Sequence, residues 1–150
     1  MPEKESVRQL VKSLQTVYTA LISGILLFAM TVFYLVENGE EITLGTQDPL
    51  ILISVFFAVS LPIQSAVLFQ KAIRNRDLNE SISTTLNRYQ NQYIIRLVIA
   101  EMPVLFSLVC YLLNNNVLCL ATFLVCFLYF ATLYPSAKRF AKETGVEAGI

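Results

Sequence analysis

The glutamate at position 101 is the residue most suited to chemistry in this 150-residue chain. It lies in the stretch RLVIAEMPVLF, residues 96–106, whose other residues are apolar apart from Arg96. The apolar run begins near Tyr93, and the eight residues from there to Glu101 span about 12 Å of helix. If the run lies in lipid, the Glu101 side chain is too short to reach water. Its carboxyl must then be protonated, paired or turned towards a polar cavity.

Polar residues of other apolar segments are expected at the depth of Glu101. Arg96 shares its helix with Glu101, but five residues turn its side chain about 140° away, and its length favours contact with lipid headgroups. Prolines inside a helix each free a backbone carbonyl that a carboxyl could bind. The expected intramembrane polar site consists of Glu101, Gln64, Ser60, Ser23 and Arg96, with helix breaks at Pro62 and Pro103.

Two interpretations of this site remain open. In the structural one, Glu101 is protonated and donates a hydrogen bond to Gln64 or to a free carbonyl, which locks helices together by about 1 kcal/mol. In the functional one, Glu101 gains and loses a proton or binds a cation during transport, because intramembrane carboxyls often mark ion paths.

Four apolar segments must position these residues. Hydrophobic residues make up 55% of the chain and charged ones 15%, against about 25% charged in a soluble domain. A membrane-spanning helix needs about 20 mostly apolar residues, and four segments qualify. We expect an all-α fold with one membrane domain, residues 1–150, built as a four-helix transmembrane bundle with spans at about 16–36, 50–69, 93–113 and 117–134.

The basic residues predict the orientation of the spans. Ten of the eleven Lys and Arg residues lie in the N-terminal tail, the segment between spans two and three, and the C-terminal tail. The other two connections contain none. Since Lys and Arg concentrate on the cytoplasmic side, both termini are expected in the cytoplasm, and the membrane is expected to be the bacterial inner (plasma) membrane.

The segment 71–92 is the longest polar stretch between spans. Its apolar residues recur at helical spacing, which predicts a cytoplasmic helical hairpin that extends spans two and three. The hairpin is either a docking surface for a protein partner or a solvated extension of two long helices. The short segment LNNNV that follows span three predicts a tight antiparallel turn into span four.

Several kinds of chemistry have no support in the residues. The chain has no histidine, and its three cysteines form no CxxC pair, so the usual zinc, haem and copper ligands are missing. It also lacks a phosphate-binding glycine loop and paired intramembrane carboxylates. We expect no enzyme activity, catalytic residue, cofactor, metal or nucleic acid.

Cys110 and Cys119 flank the outer turn at similar depth, and either a disulfide or two apolar fillers would fit there.

Two resemblances follow from these motifs. The stretch IIRLVIAEMPVLFSLVCYLLNNN, residues 94–116, resembles the carboxylate-bearing helix of rotary ATP synthase proteolipids, which would make Glu101 a proton carrier. The whole chain resembles small bacterial four-span inner-membrane proteins that have a polar inner loop and a third span with an Arg, a Glu and a Pro. The second resemblance implies a topology and no activity.

The expected function is that of a non-enzymatic accessory or scaffold protein that docks a partner through the hairpin. The alternative is an oligomeric proton-coupled transporter or channel component that uses Glu101. The expected partners are the lipid bilayer and either another protein or further copies of this chain.

Overall fold

Five α-helices form the described part of the protein, which comprises residues 2–37, 48–74 and 82–144 of a computed structural model. The predicted all-α fold is confirmed for these residues. The helices are α1 (Pro2–Glu37), α2 (Pro49–Arg74), α3 (Ile82–Asn114), α4 (Val117–Thr132) and α5 (Ala137–Thr144).

Three of the helices, α1, α2 and α3, are long and apolar enough to cross a membrane. The 16 residues of α4 span about 24 Å, which is less than the roughly 30 Å of a bilayer core. α4 counts as a fourth span only together with α5, and the two are bent by 82° at the break between them. The prediction of several apolar helices of membrane length is thus confirmed.

α3 is the central helix, and it packs against α1, α2 and α4. Its buried face includes Leu97, Val104 and Leu108, each fully buried. α1 and α3 begin, and α2 and α4 end, at the end of the bundle that carries most Lys and Arg, called here the basic end. The opposite end, where a short turn joins α3 to α4, is called here the turn end.

The basic end is more fully packed than the sequence predicts. The first turns of α1 are packed against the rest of the chain, because Val7, Leu10 and Leu14 are buried. In the predicted hairpin 71–92, α2 ends at Arg74, α3 begins at Ile82, and residues 75–81 lie outside the described part. The first turns of α3 bury Leu86 and Tyr89, so this part of the hairpin belongs to the core.

Side chains shape the turn end. Asn115 has a φ of 43°, a left-handed conformation that asparagine tolerates better than most residues. Asn116 caps α4, because its side-chain oxygen accepts a hydrogen bond from the Leu118 amide at 2.8 Å. A disulfide joins Cys110 to Cys119, whose Cα atoms are 5.9 Å apart, and thereby ties α3 to α4. The structure thus selects the disulfide from the two arrangements that the sequence allows.

The two prolines expected to break helices interrupt neither one. α2 continues through Pro62 and α3 continues through Pro103. Nearby hydroxyls bond the carbonyls of both prolines: Ser65 and Tyr129 donate to Pro62, and Ser107 donates to Pro103. These bonds lie at the prolines' own carbonyls, whereas the carbonyls that the prolines free are those of Ala58 and Ile99, four residues earlier.

Candidate functional site

Glu101 lies at the edge of α3 that faces α1, and its side chain is partly buried. It follows Gln90 by eleven residues, about three helical turns, so the two share a face. The Gln90 amide donates to the Ser13 hydroxyl of α1 at 3.5 Å. No hydrogen bond or ion pair of the Glu101 carboxyl occurs among the residues that the structure describes.

Gly24 of α1 leaves an opening at the level of Glu101. The helices α1 and α3 run in parallel, with Ser13 beside Gln90 and Phe33 in ring contact with Tyr111. Between these two contacts the register brings Gly24 to the depth of Glu101. A Cβ atom added at Gly24 would have no neighbour within 4 Å. Gly24 is also exposed, so this side of α1, at the depth of the carboxyl, is accessible to another molecule.

None of the other residues of the expected polar site forms a hydrogen bond or ion pair with Glu101 among the described residues. Ser23 and Gln64 are exposed, and Ser60 is only partly buried. α2 packs on a different side of α3, where the Phe57 and Phe106 rings are 5.3 Å apart. Phe106 lies five residues after Glu101, which is about 140° around the helix. The polar groups of α2 thus face away from the edge that carries Glu101.

Arg96 belongs to another cluster and neither extends to headgroups nor joins Glu101. Its guanidinium Nη1 lies 3.3 Å from Glu143 Oε1, and its side chain is only 11% exposed. The guanidinium carbon also lies 4.7 Å from the centroid of the Phe69 ring, a cation–π distance. Arg96 differs from the sequence prediction because the bend before α5 brings a carboxylate within its reach.

Glu143 is the centre of what we call the Glu143 cluster: Glu143, Arg96, Arg139 and Tyr89. Arg139 Nε lies 3.1 Å from Glu143 Oε1, and the Tyr89 hydroxyl donates to Oε2 at 2.7 Å. Both carboxylate oxygens thus accept hydrogen bonds, which are strong because the acceptor is charged. Burial lowers the pKa of the Arg139 guanidinium, but Tyr93 and the hydrogen bond to Glu143 raise it more, so this pKa lies above its ordinary value.

Four aromatic rings pack together beside the Glu143 cluster, and we call them the aromatic cluster: Phe69, Tyr89, Tyr93 and Phe140. Tyr89 belongs to both clusters. The centroids of Tyr89 and Phe140 are 4.8 Å apart, and those of Phe69 and Tyr93 are 5.8 Å apart. Edge-to-face pairs of this kind stabilise a fold beyond the area they bury. The aromatic cluster joins α2, α3 and α5.

Side chains from other helices also bind the backbone where α4 ends. The Tyr93 hydroxyl donates to the Leu133 carbonyl at 2.7 Å. Gln15 of α1 donates to the Pro135 carbonyl at 3.1 Å, and Arg139 donates to the Thr132 carbonyl at 2.7 Å. The last carbonyls of a helix have no partner within it, so these bonds stabilise the sharp bend.

Sequence reasoning missed Glu143 because it treated residues beyond Pro135 as a basic tail. A signal was nevertheless present. Ala137, Phe140, Ala141 and Thr144 recur at helical spacing in the segment AKRFAKET, a pattern typical of an amphipathic helix. Arg139 and Glu143 are also four residues apart, which favours an ion pair on one helix face.

Within the described residues, no group of three or more His, Cys, Asp or Glu side chains could hold a metal ion. Comparisons with protein-family models, curated proteins and solved structures give no match. The class of the protein is thus defined by its structure alone. The described residues form helices only, three to four of these helices are suited to a membrane, and the basic end is tightly packed.

Proposed function

We propose that this chain is a non-enzymatic accessory or scaffold protein of the bacterial inner membrane, with both termini in the cytoplasm. The distribution of Lys and Arg supports this orientation, because ten of eleven lie in the segments assigned to the inner side. The basic end then faces the cytoplasm, where a partner protein could reach it.

The observation that carries this proposal is a row of exposed polar residues on α3, called here the stripe, on a helix whose other side is buried. Asn87 and Asn91 are exposed, and their spacing of four residues places them along one side of α3. On the other side of α3, Leu86 and Tyr89 are buried. A helix that is packed on one side and presents amide groups on the other suits hydrogen bonding to a partner, since little conformational entropy is lost on binding.

The docking role can be tested with the double variant Asn87→Lys/Asn91→Lys. The added length and charge should prevent close approach of a partner, while the exposed positions leave the fold intact. A photo-reactive residue at position 91 should cross-link one specific protein in native membranes, and the double variant should lose that complex in native mass spectrometry.

The matched control is Gln9→Lys, which alters an exposed position of α1 at the same end. The control should retain the complex. If the complex persists in the double variant, or if position 91 cross-links only lipid, the stripe is not a docking surface.

A second candidate function is proton-coupled transport by several copies of the chain. It is favoured by the carboxyl of Glu101, which has no hydrogen bond or ion pair among the described residues. Hydrocarbon tails offer no hydrogen bonds, so another copy at the exposed side of α1 beside Gly24 would supply a partner. In this case Glu101 would carry the proton.

The variants Glu101→Gln and Gly24→Leu test this second candidate. A Cβ atom at position 24 has no neighbour within 4 Å in its own chain, so we expect a larger side chain there to hinder mainly the approach of another copy. Transport predicts proton flux into liposomes that both variants abolish, and an oligomer that only Gly24→Leu dissociates. A wild-type chain that is monomeric in lipid and carries no flux would exclude transport.

A further inference from the structure

Four exposed cations at the basic end have no counter-charge in the described structure. Arg8 and Lys12 of α1 and Lys138 and Lys142 of α5 are all exposed. None of the four forms an ion pair among the described residues. We call this set the basic patch.

The structure places the two helices that carry the basic patch, α1 and α5, beside one another. Gln15 of α1 donates to the Pro135 carbonyl, just before α5 begins, and α1 packs against α5. Arg8 precedes Gln15 by seven residues, about two turns, so it shares that side of α1. Lys138 and Lys142 are four residues apart and therefore lie along one edge of α5.

The only carboxylate of the described α5 does not neutralise these cations. Glu143 is engaged by the guanidinium groups of Arg96 and Arg139 and by the Tyr89 hydroxyl. Two positive charges already face this single negative one. Lys138 and Lys142, which lie about 140° and 100° around α5 from Glu143, form no ion pair with it and remain available for an external anion.

The bend before α5 sets the depth of the basic patch. α5 departs by 82° from the direction of α4, at the point where the apolar helix ends. Tyr134, just before the bend, is 50% exposed, and tyrosine is common at the boundary between hydrocarbon and water. With the membrane location proposed above, this angle places α5 along the membrane surface, near the level of the lipid phosphates.

We propose that the basic patch binds the phosphate of anionic phospholipid headgroups in the leaflet at the basic end. Positive clusters directly beside a membrane span attract such lipids, and the charge complementarity selects them over zwitterionic ones. The proposal rests on the membrane location given above and is independent of docking at Asn87 and Asn91 and of transport through Glu101.

The test uses the full-length protein in lipid nanodiscs of phosphatidylcholine with increasing fractions of phosphatidylglycerol. The readouts are the anionic lipids retained in native mass spectrometry and the melting temperature, which rises when a ligand binds the folded state. We expect Lys138→Gln and Lys142→Gln each to weaken the apparent affinity for phosphatidylglycerol about fivefold. The double variant Lys138→Arg/Lys142→Arg should keep it.

Lys71→Gln is the matched control, since it removes the same charge from an exposed position of α2, a helix that packs on α3 and α4. The proposal is overturned if Lys71→Gln weakens retention as much as Lys142→Gln, because net charge alone would then explain it. It is also overturned if phosphatidylglycerol has no effect, or if inorganic phosphate in pure phosphatidylcholine gives the same shift. The cross-linking and flux assays test docking and transport separately, so failure of this proposal can be distinguished from failure of either of those.

Discussion

Two glutamates on neighbouring helices meet very different environments. Glu143 has three hydrogen-bonding partners from two helices, whereas Glu101 has none among the described residues. Because a buried charge is tolerated only when paired, Glu143 fits a structural role within one chain. Glu101 fits a role that another molecule completes.

The Glu143 cluster should contribute directly to stability. Glu143→Ala leaves Arg96, which is 11% exposed, without its carboxylate, and we expect a loss of about 1–3 kcal/mol in the free energy of unfolding. The measurement is reversible unfolding in mixed micelles. Lys142→Ala, one residue away and exposed, should change the free energy by less than about 0.5 kcal/mol; equal losses in both variants would contradict a role for the carboxylate.

Glu101 should contribute little to the stability of a single chain. Glu101→Gln keeps the side-chain shape and removes no hydrogen bond present in the described structure, so we expect a change of less than about 0.5 kcal/mol in unfolding of the monomer. The same micelle assay measures it, under dilute conditions that separate copies. A loss of 1 kcal/mol or more, the scale of an interhelical bond, would instead support the structural lock.

At the scale of elements, the bend between α4 and α5 organises the basic end. Pro135 lies in this break and is buried, and side chains of three helices bind the carbonyls around it. The bend turns α5 back over α3, so Phe140 reaches Tyr89. A straight extension of α4 would leave Arg96 and Tyr89 without these partners.

The disulfide of the turn end gives a prediction for α3 and α4. After denaturation without reductant, thiol counting should find one free cysteine, Cys126, and reduction should expose Cys110 and Cys119 as well. Cys119→Ser should lower the free energy of unfolding by about 2–3 kcal/mol, the cost of opening a short cross-linked loop. Reduced wild type is the control, because it should lose the same amount; three free thiols in the untreated protein would show that the bond does not form.

At the scale of the whole molecule, the proposed orientation rests on the distribution of Lys and Arg. A fluorescent protein fused after Ile150 should fold and fluoresce, because it fluoresces only in the cytoplasm, and alkaline phosphatase at the same position should be inactive. Fusions after residue 115, in the turn between α3 and α4, should give the reverse result. Active phosphatase at the C-terminus would contradict the proposed topology and would move the basic patch to the other leaflet.

The sequence by itself determined the helices and their rough depth. Long apolar segments stabilise helices in lipid whatever their neighbours are, and caps such as Asn116 act on adjacent residues. These properties are local, so α2 and α4 lie close to the predicted segments. α3 begins at Ile82, eleven residues before its predicted span and within the predicted helical segment 71–92. α1 begins at Pro2, before the predicted span of 16–36, and its first turns bury Val7 and Leu10.

Only the tertiary structure decided which side chains meet. Depth can be counted along a helix, but the rotation of each helix about its axis depends on the packing of all its neighbours. For this reason Ser23 and Gln64 face outwards although they were expected beside Glu101. The pairing of Arg96 with Glu143 links residues 47 positions apart, and it exists because a bend folds α5 back onto α3, a contact that no local pattern encodes.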